Sequence, residues 1–151
     1  MTGLLTDDIR AWIGRSDPPQ RVEITRRDII KYAASTQQRL DKYRNGDEAP
    51  PMFLFGAYAP PLPPEALGAD GLRADTLLPE LPLKRIMAGG IKQQHTRALR
   101  AGEVAILTRT IVDIFEKQGS SGPLIFVVYE IAVSTEAGEA IMVETQTRIV
   151  R

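Results

Sequence analysis

Ile114-Phe115-Glu116-Lys117-Gln118-Gly119-Ser120-Ser121-Gly122-Pro123-Leu124-Ile125-Phe126-Val127-Val128-Tyr129-Glu130 is the stretch that decides how this chain folds. Two apolar runs rich in β-branched and aromatic residues flank Gly119 to Pro123, a five-residue turn with two glycines and a proline. That is the pattern of a β-hairpin with a longer loop. The downstream run, Leu124 to Val133, is interrupted only by Glu130. A strand in a one-sided sheet alternates, whereas one covered on both faces need not. The run therefore predicts a long central strand covered on one side by its own domain and on the other by something else.

Working outward, the chain from Gly89 onward reads as β. Ile91–Leu99 and Val104–Lys117 precede the hairpin loop, and Ala140–Val150 follows a turn at Glu136–Glu139. In the last run Ile141, Val143 and Ile149 share a face by period-two alternation, while Glu144, Gln146 and Arg148 take the other. Short turns joining four runs predict an antiparallel meander.

The first half reads as helix and loop. Thr6 can cap a short helix with Asp7 and Asp8 in its first turn, and Ile9, Trp12 and Ile13 on one face. Arg21 to Ile24 is a candidate short strand. Thr25-Arg26-Arg27-Asp28 is a capping box opening a helix through about Gln38, with Ile29, Ile30, Ala33 and Ala34 toward the core. Pro51 is a suitable start for a second short helix, Met52 to Tyr58. Residues 59–83 form a proline-rich connection of the length that is usually functional or packed as a lid. Helices first and an antiparallel sheet after them is the α+β layout.

Composition narrows the function classes. Lys plus Arg and Asp plus Glu both number 19 in 151 residues, so the net charge is zero. A general nucleic-acid binder needs an excess of cations, so no nucleic-acid partner is expected. With no cysteine and one histidine, neither a disulfide nor a metal site is expected. The opening residues lack the basic and apolar regions of a signal peptide, and no apolar run approaches the ~20 residues of a membrane helix. The length suits a single domain over residues 1–151, expected in the cytoplasm.

The order of segments resembles the hot-dog fold, specifically the N-terminal half of MaoC-like and fatty-acid-synthase-type dehydratases. Thr25-Arg26-Arg27-Asp28-Ile29-Ile30-Lys31-Tyr32-Ala33-Ala34 is similar to the helix before that family's active-site loop. Ala49-Pro50-Pro51-Met52-Phe53-Leu54-Phe55 is similar to the start of the central helix in the mesaconyl-CoA and itaconyl-CoA hydratase branch. Leu78 to Gly90 resembles that branch's proline-rich link into the sheet. Ala98 to Glu103, with the Lys117–Tyr129 hairpin, resembles its sheet signature. The resemblance implies an α+β hot-dog domain in which an antiparallel sheet wraps around a central helix, acting on an acyl-CoA thioester with no cofactor.

One departure bears on the chemistry. Active members of the family place Asp-x-Asn-Pro-x-His just after the tyrosine-alanine helix, and the Asp and His activate a water. The resemblance puts Gln37 at the Asp position and Lys42 at the His position. Glutamine accepts no proton, and lysine, with a reference pKa near ~10.4, is a poor general base unless strongly desolvated. The resemblance therefore implies the half that shapes the acyl pocket, with the catalytic pair supplied by a second hot-dog subunit in a homodimer or heteromer.

The remaining candidates each carry a plainer alternative. His95 can hydrogen-bond a thioester or carry a proton, or it is a partly exposed strand residue sharing a face with Gln93 and Arg97. Lys92, Arg97 and Arg100 lie in an interval from Glu80 to Glu103 that holds no other acidic residue. They suit recognition of CoA phosphates, or protection of a sheet edge. Ser121, between Gly119 and Gly122, belongs to an anion-binding loop or simply to a turn. Phe53, Phe55 and Tyr58 are candidates to line the acyl pocket, or simply core. Alternative functions are an acyl-CoA thioesterase, against which the absence of an acidic residue in Met52–Tyr58 weighs, and a non-enzymatic acyl-CoA-binding module.

Overall fold

A computed structural model of the chain describes residues 3–55 and 60–151. Five strands form one antiparallel sheet: β1 Gln20–Glu23, β2 Ile86–His95, β3 Val104–Gly119, β4 Gly122–Thr135 and β5 Ala140–Val150. Their order across the sheet is β1-β3-β4-β5-β2. The expected hairpin forms with a tighter turn than the glycines and proline suggest. Gly119 pairs with Gly122, leaving Ser120 and Ser121 as the loop, and Gly122 takes φ +131°, a region glycine enters freely.

The meander holds for β3, β4 and β5 but not for β2. That strand begins at Ile86, ends at His95, and pairs with β5 at the far edge, in the register Gln93↔Glu144 and His95↔Met142. The free edge of β3 is taken instead by β1, with Gln20 opposite Leu107. The connection from Thr96 to Glu103 carries the chain from one edge region to the other. Arg97 fixes it: the guanidinium donates to Glu103 at 3.0 and 2.8 Å, to Glu139 at 2.8 and 2.7 Å and to the Ala98 carbonyl at 2.9 Å.

The helices lie where their caps place them. Thr6 accepts from the Ile9 amide at the start of α1, Asp7–Arg10, and Thr25 accepts from the Asp28 amide at the start of α2, Arg26–Ser35. α2 buries Ile29 and Ala33 and stops before Gln37, which adopts a left-handed φ of +54°. A further short helix, α3 Asp41–Arg44, ends at Gly46, where φ is +73°. A Cβ there would meet the Arg26 carbonyl at 2.7 Å, so glycine is what lets α3 close against α2. The helix expected over Met52–Tyr58 is not present in its described part. Residues 51–55 are turns, with amide bonds from Phe53 to Pro50 and from Phe55 to Met52, and residues 56–59 lie outside the described residues. Those bonds span three residues rather than four, the tighter winding that follows two successive prolines.

One sheet face carries the core in two clusters. Ile29, Ala49, Leu54 and Leu99 pack with Leu107, Ile131 and Met142 at the end nearest α2. Leu5, Ile9, Leu77 and Leu81 pack with Ile111, Ile125, Tyr129 and Val150 at the other end, so the proline-rich connection is itself part of the core. Burying each such side chain contributes roughly 1.5–3 kcal/mol. The opposite face of β4 is only partly covered by this chain. Leu124, Phe126 and Val128 are half-buried beside Phe115, whose ring stacks on Phe126 at 4.9 Å, while Glu130 and Ala132 are exposed. Within one chain, cross-strand pairing covers this face in part.

Candidate functional site

Between the two apolar clusters the core face turns polar. β5 presents Glu144 and Gln146 inward, 2% and 7% exposed, and β3 presents Arg109, 9% exposed. The alternation seen in the sequence is real, but its charged face looks toward the core, while Val143 is exposed. Each buried polar group is satisfied. Glu144 accepts from Gln146 Nε2 through Oε1 and from Gln93 Nε2 through Oε2, both at 2.5 Å. Arg109 donates to Asp17 at 2.7 Å and to Asp75 at 2.9 Å, and Arg148 also pairs with Asp75. The Arg109 and Arg148 guanidinium groups lie 5.0 and 5.1 Å from the Tyr129 ring centre, and the Tyr129 hydroxyl donates to the Leu77 carbonyl at 2.9 Å. This belt pins the proline-rich connection to the sheet.

Beside the belt opens a cavity of about 180 Å³, lined by Phe53, Leu54, Leu99, Ile141 and Met142 with Tyr43, Glu48, His95 and Arg97 at its polar side. His95 Nε2 lies 2.9 Å from Gln93 Oε1. Lys42 sits next to this group, its Nζ 2.9 Å from Glu48 and 5.0 Å from the Tyr43 ring centre. The hydrogen bond to Glu48 raises the Lys42 pKa above its ordinary value. The two hydrogen-bonded carboxylates likewise raise that of Arg97, Glu139 first and Glu103 second, and hold it fully charged.

The structure thus gathers some sequence candidates and separates others. His95, Arg97 and Phe53 line one cavity, with Lys42 one ion pair away. Gln37 is exposed in its left-handed turn. Phe55 lines a second cleft of about 190 Å³, with Ile86, Met87, Ile91 and Arg148. Lys92, opposite Thr145, is exposed, and Arg100 is exposed with its amide donating to Glu103 at 2.7 Å. Ser121 is at the hairpin tip, the opposite end of the sheet from Arg100, so the two do not meet within one chain. Tyr58 lies outside the described residues. Sequence reasoning missed Gln93, Glu144 and the Arg109–Asp75–Asp17 cluster. The available signal was Glu144-x-Gln146-x-Arg148, three polar residues on one face of a strand otherwise built for burial.

Comparison with known proteins places this geometry. Residues 11–144 match the family FAS1-like, dehydratase domain region. The chain is 28% identical over 145 residues to a UPF0336 protein of Thermobifida fusca, covering 94% of this chain and 93% of that one. It is 30% identical over 121 residues to a mesaconyl-C(4)-CoA hydratase of Chloroflexus aurantiacus, covering 80% of this chain but 43% of the relative. Among solved structures, the fold matches a MaoC-like dehydratase from Rhodospirillum rubrum with a TM-score of 0.59 at 16% identity, covering 91% of each chain. It also matches the HadBC (3R-hydroxyacyl-ACP dehydratase) complex from Mycobacterium tuberculosis with a TM-score of 0.64 at 15% identity, covering 96% of this chain and 99% of that one. No helix among the described residues is long and apolar enough to cross a membrane.

Proposed function

The chain belongs to the FAS1-like, dehydratase domain region family and is a MaoC-like hot-dog domain of the dehydratase and hydratase group, and from that premise we propose that it forms the acyl-pocket half of an enoyl-CoA hydratase or 3-hydroxyacyl-CoA dehydratase. The observation that carries this reading is the state of Gln37 and Lys42, where the family's Asp and His would stand. Gln37 is exposed in a turn, and Lys42 is exposed, ion-paired to Glu48 and shifted further from the range of a general base. An apolar cavity nevertheless stands beside Lys42, smaller than the roughly 300 Å³ of the smallest drug-sized sites and suited to a short acyl group. The catalytic Asp and His then come from a second hot-dog subunit, in the cytoplasm, with this chain acting as one domain.

Two further features support a partner. β2 is an edge strand that is exposed along almost all its length, with Ile86, Met87 and Ile91 uncovered. A long, apolar, unpaired edge is a template for another strand. The HadBC match is to a 3R-hydroxyacyl-ACP dehydratase complex.

For the thioester itself, Arg100 and Lys92 are the exposed cations in this reading, and Phe53 lines the acyl pocket. Arg97 has committed its donors to Glu103, Glu139 and Ala98, so its part is to hold the turn that presents Arg100. Ser121 and Phe55 contribute to separate places on the surface. The test is calorimetric titration of CoA into the wild type and Arg100→Ala. A charge-assisted bond to phosphate is worth about 1.5–3 kcal/mol, so Arg100→Ala should bind about ten- to hundred-fold more weakly, and high salt should shrink the difference. Unchanged affinity moves the CoA site elsewhere.

A further inference from the structure

Glu144, on β5, is almost wholly buried, yet it lies one side chain away from the exposed His95. As a carboxylate it can only accept hydrogen bonds, so each side chain facing it must present a donor. Gln93 does so through Nε2, which fixes the orientation of its amide, because the oxygen is then the atom left to face His95. That oxygen is 2.9 Å from His95 Nε2, and it too can only accept. The proton of the neutral imidazole must therefore sit on Nε2, and the Nδ1 lone pair is left unclaimed by this array.

We propose that Glu144 and Gln93 are positioning residues that lock His95 as the Nε2–H tautomer, making its Nδ1 a hydrogen-bond acceptor for a hydroxyl-bearing acyl group in the adjacent cavity. Two strands take part: β5 supplies the buried carboxylate, β2 supplies both Gln93 and His95, and their register Gln93↔Glu144 sets the contact. Gln146 completes the carboxylate from the far side. The groups lining the cavity around His95 are Tyr43, Glu48 and Arg97, and Arg97 is tied to Glu103 and Glu139. The other walls, among them Phe53, Leu54 and Met142, are apolar and match a hydrocarbon chain. The identity of the occupant rests on the proposed function above, but the state of the ring does not.

His95 is the chain's one histidine, so labelling histidine with ¹⁵N reports on a single ring. In the wild type, at a pH where the ring is neutral, Nε2 should carry the proton and its N–H signal should be visible because exchange with water is slowed. In Gln93→Leu that signal should vanish while the backbone amide spectrum is retained. In the isosteric Glu144→Gln, whose side chain can both donate and accept, the Gln93 amide is free to turn over and the Nδ1–H tautomer should become populated. A wild-type ring with no protected N–H, a proton on Nδ1, or ring signals identical in all three proteins would overturn the proposal. If the ring behaves as described but does not respond to 3-hydroxybutyryl-CoA, the lock stands and the acyl-CoA reading fails.

Discussion

Asp75 ties the proline-rich connection to the sheet by binding Arg109 and Arg148 together. Removing it leaves a nearly buried Arg109 guanidinium with Asp17 and without its second partner. Breaking such a pair typically destabilises by about 3 kcal/mol or more. Asp75→Ala should therefore lower the melting temperature by roughly 6–12 °C for a chain of this size, measured by circular dichroism. Tyr129→Phe is a milder probe of the same place: it orphans the Leu77 carbonyl and should cost about 1–3 kcal/mol. At the Arg97 clamp, the guanidinium holds the Glu103 carboxyl below its usual range. A depressed carboxylate pKa contributes stability that is present above the unfolded value of ~4.3 and disappears as pH falls through the folded value. The melting-temperature gap between wild type and Glu103→Gln should thus be steady above about pH 5 and close below pH 4. Single residues were the least legible level of the sequence. Alternation put Gln93 beside His95 and grouped Glu144 with Gln146 and Arg148, but period two does not say which face is inward. A polar face is assigned to solvent unless its partners are known, and those partners lie 34 to 92 residues away.

At the scale of elements, short-range rules worked where the determinant was local. Both caps, the β3–β4 hairpin and the continuous run into β5 are set by residues within a few positions of each other. Two elements escaped those rules. β2 was expected beside β3, but strand order is settled by which edge is free, and β1 occupies that one. The helix expected at Met52 gives way to tight turns after Pro50 and Pro51. The exposure of β2 makes a prediction of its own. If a second subunit pairs along this edge, placing lysines at Met87 and Ile91 should prevent it, since charged residues are how sheet edges avoid pairing. Light scattering at micromolar concentration should show the wild type as a dimer and Met87→Lys/Ile91→Lys as a monomer with the same circular dichroism. A wild type that is monomeric at that concentration would remove the edge as a homodimer interface.

For the whole molecule, the account separates shape from chemistry. The hot-dog sheet, its two apolar clusters and the polar belt build a cavity with His95 at its polar side, while Gln37 and Lys42 are exposed and Lys42 is ion-paired to Glu48. General acid–base groups typically supply 10²–10⁴-fold of an enzyme's rate, so a pocket without the family's Asp and His pair should bind and not turn over. The fold was legible in the sequence because four local segments, in order, carry it. The polar belt was not, because it exists only once distant strands meet. The most direct test is the hydration of crotonyl-CoA by the purified chain alone, followed by loss of the enoyl-thioester absorbance. The account predicts no turnover above background at a concentration where the thioester is bound. Sustained turnover that is lost on Lys42→Ala or His95→Ala would contradict it, placing the catalytic base within this chain.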